Sequence, residues 1–183
     1  MKFPFENKPI VTNRLVLRPL TPETQHRLFT EAADETLMRY FALDSTAVLQ
    51  AEKEKFKSGF TTYNKTFYLF HLLLKDTEAV IGACGFHSWF PEHRRAEIGY
   101  HITLEANKNK GLMSEALAAI LAFGFQELQL NRVEALIGRE NTASQKLVQK
   151  FGFIQEGILR EHYCKNGIIE DSVVFALLKR DFN

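Results

Sequence analysis

The sequence predicts one α/β domain built on a mixed, mostly antiparallel sheet of six to seven strands, with helices on both faces and one central βαβ unit. Three observations carry that reading. Residues 94–104 alternate, with Ala96, Ile98, Tyr100, Ile102 and Leu104 on one face and Glu97, Gly99, His101 and Thr103 on the other. A polar loop ending at Gly111 then separates this strand from a long apolar-striped segment and a further strand over 132–139, the order that makes a parallel crossover. Near the end, Asn166-Gly167 joins two strand-like runs and signals a tight hairpin.

Each element follows from its own pattern. Residues 12–20 set Leu15 and Leu17 against Arg14, Val16 and Arg18, a first strand ended by Pro19. Thr21-Pro22 reads as an N-cap with proline at the first helical position, opening a helix to about Ala33. A short helix is expected over 35–40 and another over 50–63, and this block offers one wall of a substrate site. Residues 66–75 are apolar on both faces, as a central strand requires, and 79–89 return antiparallel to them. A helix over 111–130 keeps Met113, Leu117, Ile120, Leu121, Gly124 and Leu128 on one stripe. Asn141 to Ser144 starts the last helix, which Gly152 stops, and strands over 153–165 and 168–179 close the chain. With no repeat or Pro/Gly/Ser-rich linker, residues 1–183 form one domain.

Composition narrows the function classes. Apolar residues make up 45% of the chain and include 16 phenylalanines, which implies a well-filled core. A net charge of +1 supplies no global field for nucleic acid or an anionic membrane, so neither is an expected partner. The longest apolar run, 116–125, is too short to span a bilayer, and residues 1–11 hold no signal-peptide apolar stretch. Cys84 and Cys164 lie in strands without metal-ligand spacing and read as reduced core residues of a cytoplasmic protein. No HExxH, CxxC pair or carboxylate cluster points to a metal.

The loop 106–111 carries Lys108 and Lys110 beside Gly111, just where the helix after it exposes its free N–H groups. A helix start flanked by lysines suits a phosphate or pyrophosphate. It is not a dinucleotide fingerprint, because the glycine spacing and the downstream acid are absent.

The order RLVLRPL, AEIGYHI, KNKGLMSEAL and LNRVEALIGRENTASQKLVQKFGFIQEG closely resembles the GNAT N-acetyltransferase superfamily, most of all its ribosomal-protein-alanine (RimJ/RimL-like) branch. The resemblance covers residues 14–182 and implies a GNAT-like fold, acetyl-CoA as co-substrate and a primary amine as acceptor. The family's phosphate pattern, Q/R-x-x-G-x-G/A, falls on Lys108, Asn109, Lys110, Gly111, Leu112 and Met113, followed by Ser114. Lys108 and Met113 depart from it, and many members carry glycine where Asn109 stands; backbone N–H groups do most of the phosphate binding, so the chemistry survives. The resemblance also implies that the backbone after a strand bulge, here about Ile102, Thr103 and Leu104, pairs with pantetheine. The strand from Arg132 splays away there, and Asn141 and Ser144 reach the arm from the far side.

Acetyl transfer needs a neutral amine, a stabilised oxyanion and a protonated leaving thiolate. Deprotonating an α-amine at pH 7 costs about 1 kcal/mol and a lysine about 4–5 kcal/mol, so a polypeptide N-terminus, such as that of a ribosomal protein, is the easier acceptor. Glu97 is the expected base, against the alternative of a surface carboxylate paired to Arg95 or Arg139; Glu161, His87 and His101 rank behind it. Ser144 is expected at the CoA sulfur, against a plain capping hydroxyl. Many members place a tyrosine seven residues after the asparagine; here that residue is Val148, leaving Ser144 or Tyr163 to act as acid. Trp89, Phe90 and His87 either line the acceptor pocket or cap the core. An antibiotic, polyamine or amino acid as acceptor, or a catalytically silent CoA-binding module, are the competing functions. The sequence shows no acidic cluster at the acceptor side, and the final strands offer a homodimer surface.

Overall fold

A computed structural model describes residues 8–59, 66–165 and 167–182. Residues 1–7, the end of the helix expected over 50–63, and Asn166 of the hairpin turn lie outside the described residues. In chain order the elements are β1 (Ile10–Val11), β2 (Leu15–Leu20), α1 (Pro22–Glu31), α2 (Asp34–Phe41), α3 (Thr46–Lys57), β3 (Tyr68–Leu74) and β4 (Val80–Phe90). There follow β5 (Arg95–Ile102), α4 (Leu112–Gln126), β6 (Arg132–Gly138), α5 (Thr142–Lys150), β7 (Ile154–Lys165) and β8 (Ile168–Leu178).

The strands form one eight-stranded sheet in the order β1-β2-β3-β4-β5-β6-β8-β7. It exceeds the expected count by the two-residue edge strand β1, which pairs with Val16 and Leu17. Among the described strands only β5 and β6 run parallel. One face carries Leu15, Leu17, Phe70, Leu72, Phe86, Ala96 and Ile98 into the main core, where α4 and α5 cover them. Lys150 Nζ donates to Ser114 Oγ at 3.0 Å and ties those two helices together. The opposite face meets α2, whose Tyr40 and Phe41 rings pack on His71.

Local chemistry sets the element ends. Thr21 caps α1 by accepting from the Thr24 N–H, with Pro22 at the first helical position. The helix expected to 130 stops at Gln126, because the Leu130 N–H returns to the Gly124 carbonyl at 3.0 Å and Gln129 takes φ +53°. Cys84 is buried as expected, but Cys164 is exposed, since the β7–β8 hairpin runs past the sheet it closes.

α4 lies unusually close to the sheet at one point. A Cβ on Gly124 would stand 2.4 Å from Cζ of Phe86, a ring with no solvent exposure. Gly124→Ala would gain about 1 kcal/mol of helix propensity, yet the buried ring has nowhere to go. The expected outcome in urea denaturation is a net loss of about 1–3 kcal/mol. A gain would show that the helix–sheet spacing is not tight there.

Candidate active site

β5 and β6 share a short register: Arg95 with Arg132, Ala96 with Val133 and Glu97 with Glu134. β5 then continues along β4 to Ile102, while β6 follows β8 as far as Gly138 opposite Ser172. A wedge-shaped split therefore opens between them. In antiparallel pairing the backbone of every second residue faces each neighbour. The Thr103 N–H donates to the Ile81 carbonyl at 2.9 Å, so odd-numbered residues of β5 turn to β4. Tyr100 and Ile102 consequently turn their N–H and C=O groups into the split.

The run expected to pair with pantetheine divides. Ile102 faces the split, Thr103 is committed to β4, and Leu104 lies past the strand and is exposed. The register shift between β4 and β5 falls after His87, where Ser88 takes φ +46°. That extra residue turns Trp89 into the core while His87 keeps to the other face.

Three adjoining cavities follow the split. On the α4–α5 side, about 290 Å³ is lined by Tyr100, Ile102, Lys108, Asn109, Gly111, Met113 and Ser144, with Leu112 and Ser114 also at its wall. Within the split, about 180 Å³ is lined by Tyr100 and Ser144 on one side and by His87, Glu97 and Asn141 on the other. Beyond it, a basin of about 450 Å³ holds Glu97, Glu140, Glu170 and Asp171, with His162 and Tyr163. The split thus connects a helix-start pocket on one face of the sheet with a carboxylate-lined basin on the other.

The helix-start pocket is built by left-handed backbone. Asn109 has φ +58° and Gly111 has φ +75°, which turn the chain so that the first N–H groups of α4 open outward. Asparagine is one of the few side chains that tolerates this conformation, so it can stand where a glycine is common. Arg14 holds the loop from behind. Its Nη1 donates to the Lys110 carbonyl at 2.9 Å, and its Nε to Glu115 Oε2 at 2.7 Å. The Arg14 N–H and the Thr12 hydroxyl donate to Glu115 Oε1 at 2.6 and 2.7 Å. Burial would raise the Glu115 carboxyl, but these donors outweigh it and hold the pKa at about 2. Lys110 faces a separate cavity with Arg14 and Lys75 rather than the helix-start pocket.

On the basin side, Glu97 Oε2 lies 3.6 Å from His87 Nδ1. Burial lowers the His87 pKa to about 4, so the imidazole is neutral at pH 7. The His87 ring covers Gly99, where a Cβ would stand 2.7 Å from Nε2. Arg95 and Arg139, the partners that a merely structural Glu97 would use, bind Glu134 at 3.2 Å and Asp171 at 3.5 Å instead. Asn141 caps α5 by accepting from the Ser144 N–H at 3.2 Å.

Other expected residues fall elsewhere. Glu161 and His101 line none of the three cavities. Phe90 is exposed under the Arg95 guanidinium at 4.3 Å, which leaves His87 as the member of its aromatic group at the site. Tyr163 lines the basin but is 59% exposed, and Val148 is fully buried. No described residue of α1–α3 lines any of the three cavities, and the described lining of the basin comes from β5 to β8 and the turn after β6. The basin overturns the expectation of no acidic cluster: Glu140, Glu170 and Asp171 are far from Glu97 in sequence and meet only through the β6–β8 pairing. Alternation places Tyr100 on the core face, where it packs, but does not show that it also lines the split.

Comparison with known proteins matches residues 14–154 to the acetyltransferase (GNAT) domain family. The uncharacterized N-acetyltransferase YoaA of Bacillus subtilis is 32% identical over 169 residues, 92% of this chain and 95% of that protein. The ribosomal-protein-serine acetyltransferase of Escherichia coli is 31% identical over 114 residues, 62% of this chain and 60% of its own length. Among solved structures, the spermidine/spermine N-acetyltransferase SpeG of Vibrio cholerae superposes with a TM-score of 0.67 at 20% identity, covering 91% of this chain and 93% of that one.

Two outcomes follow from the site's electrostatics. Glu115 has a folded pKa below its ordinary 4.5, so its stabilisation is complete above 4.5 and is lost as pH falls towards 2. Glu115→Gln should cost about 1–3 kcal/mol at pH 7 in urea titrations, with the difference closing over that acid window. His71 and His87 are both held near 4 by burial, below their ordinary 6.5. The unfolded chain therefore binds more protons between 6.5 and 4, and stability falls as pH drops through that range. From pH 7 to 5 the expected loss is about 1–2 kcal/mol per imidazole, and His87→Gln should remove one share of it.

Proposed function

The chain belongs to the GNAT acetyltransferase family and is an N-acetyltransferase, and from that premise we propose that it moves the acetyl group of acetyl-CoA through the β5–β6 split to a primary amine held in the basin at Glu97. The observation that carries this reading is the continuity of the three cavities, which share Tyr100 and Ser144 at one end and Glu97 and Asn141 at the other.

In this reading the opened turn at 108–114 takes the pyrophosphate on its N–H groups, and Lys108 adds charge beside them. The Tyr100 and Ile102 backbone takes the pantetheine arm, and an N–H in the split stabilises the oxyanion. Glu97 accepts the proton of the attacking amine, held in place against the neutral His87 ring.

The favoured acceptor is the α-amine of a polypeptide, such as a ribosomal protein in the cytoplasm. A single carboxylate suffices for an amine that costs about 1 kcal/mol to deprotonate, whereas a lysine-like amine asks for about 4–5 kcal/mol. The likeness to the ribosomal-protein-serine acetyltransferase supports it. One observation favours a second reading, a cationic small molecule such as a polyamine: the four carboxylates that line the basin.

Release of CoA, read with a thiol reagent, separates these. Peptides with a free N-terminus should turn over and the same peptides with a blocked one should not. Polyamine turnover without peptide turnover would select the second reading. Glu97→Gln should lower kcat/KM by about a hundredfold or more while acetyl-CoA still raises the melting temperature. An unchanged rate would remove Glu97 as the base.

A further inference from the structure

The last hairpin forms a free edge of the sheet. Among the described strands β7 pairs with β8 alone, and β8 pairs with β6 no further than Ser172 opposite Gly138. Past that point Tyr163, Cys164 and Lys165 pair with Glu170, Ile169 and Ile168, so the tip of the hairpin is a two-stranded ribbon. Such a ribbon is marginally stable by itself in water. It is also apolar on both faces, because alternation puts Tyr163 and Ile168 on one and Ile169 on the other.

Among the described residues, six of the ten exposed large hydrophobics lie on this hairpin, a concentration that marks a contact surface rather than scattered exposure. They are Ile154, Ile158, Leu159, Tyr163, Ile168 and Ile169, each 41–64% exposed. At about 200 Å² for a fully exposed residue of this size, they present on the order of 650 Å². A standard stable interface buries roughly 800 Å² per partner, so this strip with its charged neighbours is large enough for one.

Two features identify the occupant. The β7–β8 register slips between Leu159 and Tyr163, where Glu161 takes φ +51° and its N–H donates to Asp171 Oδ1 at 2.9 Å. A bulged edge does not extend a sheet strand to strand, so side chains must make the contact. At the bulge, Ile158, Leu159, Arg160, Glu161 and Asp171 line a hollow of about 500 Å³. Arg160 and Glu161 are adjacent and exposed, and among the described residues neither side chain makes an ion pair. Opposite charges side by side on an apolar strip are complementary to the same strip turned by a two-fold axis, so that Arg160 meets the partner's Glu161 and the reverse.

We propose that a second copy of this chain docks on the β7–β8 edge and forms a two-fold dimer. The dimer stands independently of acetyl transfer, and one consequence rests on that reading. Asp171 lines both the hollow and the basin, and Tyr163 and Glu170 of the same hairpin line the basin. A copy packed on the hairpin therefore steadies the wall against which the acceptor amine sits. The donor pocket, lined from β5, the loop before α4, α4 and α5, is untouched.

Sedimentation of the full chain should give a mass near twice the 21.1 kDa of one chain. Arg160→Glu and Glu161→Arg should each raise the dimer Kd by about tenfold or more, because each sets like charges face to face twice. Mixed in equal amounts, the two variants should re-form a dimer as tight as the wild type's, a rescue that only contact between copies across this edge provides. Ile168→Lys changes a residue that lines none of the three cavities of the site. It should be folded and monomeric, with the wild-type rise in melting temperature on adding acetyl-CoA and a severalfold higher KM for the acceptor. If it fails to fold, the charge-swapped mixture carries the test. A monomeric wild type, a mixture that stays monomeric, or a dimer that survives all three substitutions would overturn the proposal. An unchanged acceptor KM in the monomeric variant would overturn the link to the basin. A wild-type dimer that releases no CoA across peptides and polyamines would overturn the acetyl-transfer reading and leave the dimer standing.

Discussion

Three residue pairs hold β5 to β6, and the rest of the site depends on that shortness. β6 is committed along its length to β8, and β5 is committed to β4, so the two strands must part after Glu97. A sheet normally satisfies its own backbone groups, and a gap in its middle leaves N–H and C=O groups in need of a partner. Here the Tyr100 ring and the first turn of α5 stand at one side of that gap, joined by the hydroxyl-to-carbonyl contact. An extended ligand that pairs with the strand can complete the sheet. The same gap joins the cavity on the helix-covered face to the basin on the other.

The second constraint is the loop ahead of α4. Its outward-facing N–H groups exist because two residues adopt left-handed backbone and because Arg14 pulls the Lys110 carbonyl back. Arg14 is held by Glu115, one turn into the helix, so the turn between β1 and β2, the loop and the helix form one hydrogen-bonded unit. The edge of the sheet is thus mechanically linked to the pocket that its sequence never approaches. A carboxylate held at about 2 keeps that unit charged at neutral pH.

Much of this was legible in the sequence. The alternation in β5, the glycine-ended loop and the stripe of α4 follow local periodicities, and those survive folding because neighbouring residues impose them. Glu97 was legible as the residue opposite an apolar set. What escaped depends on pairing between distant segments. The acidic basin exists only because β8 brings Glu170 and Asp171 beside β6. Alternation puts Tyr100 on the core face, where it packs, but reports a face and not whether the neighbouring strand has left. The bulge at Ser88 was missed because a one-residue insertion leaves no mark on composition. Chain order alone suggests the helical block as a site wall, and the sheet order places its described residues elsewhere.

Backbone hydrogen exchange at β5 is the most direct measurement of the central claim that the split receives the donor. On adding acetyl-CoA, the Tyr100 and Ile102 amides should gain strong protection, while Thr103, already bonded to Ile81, should change little. Protection confined to the loop at 108–114, with Tyr100 and Ile102 unaffected, would place the thioester outside the split and contradict the account.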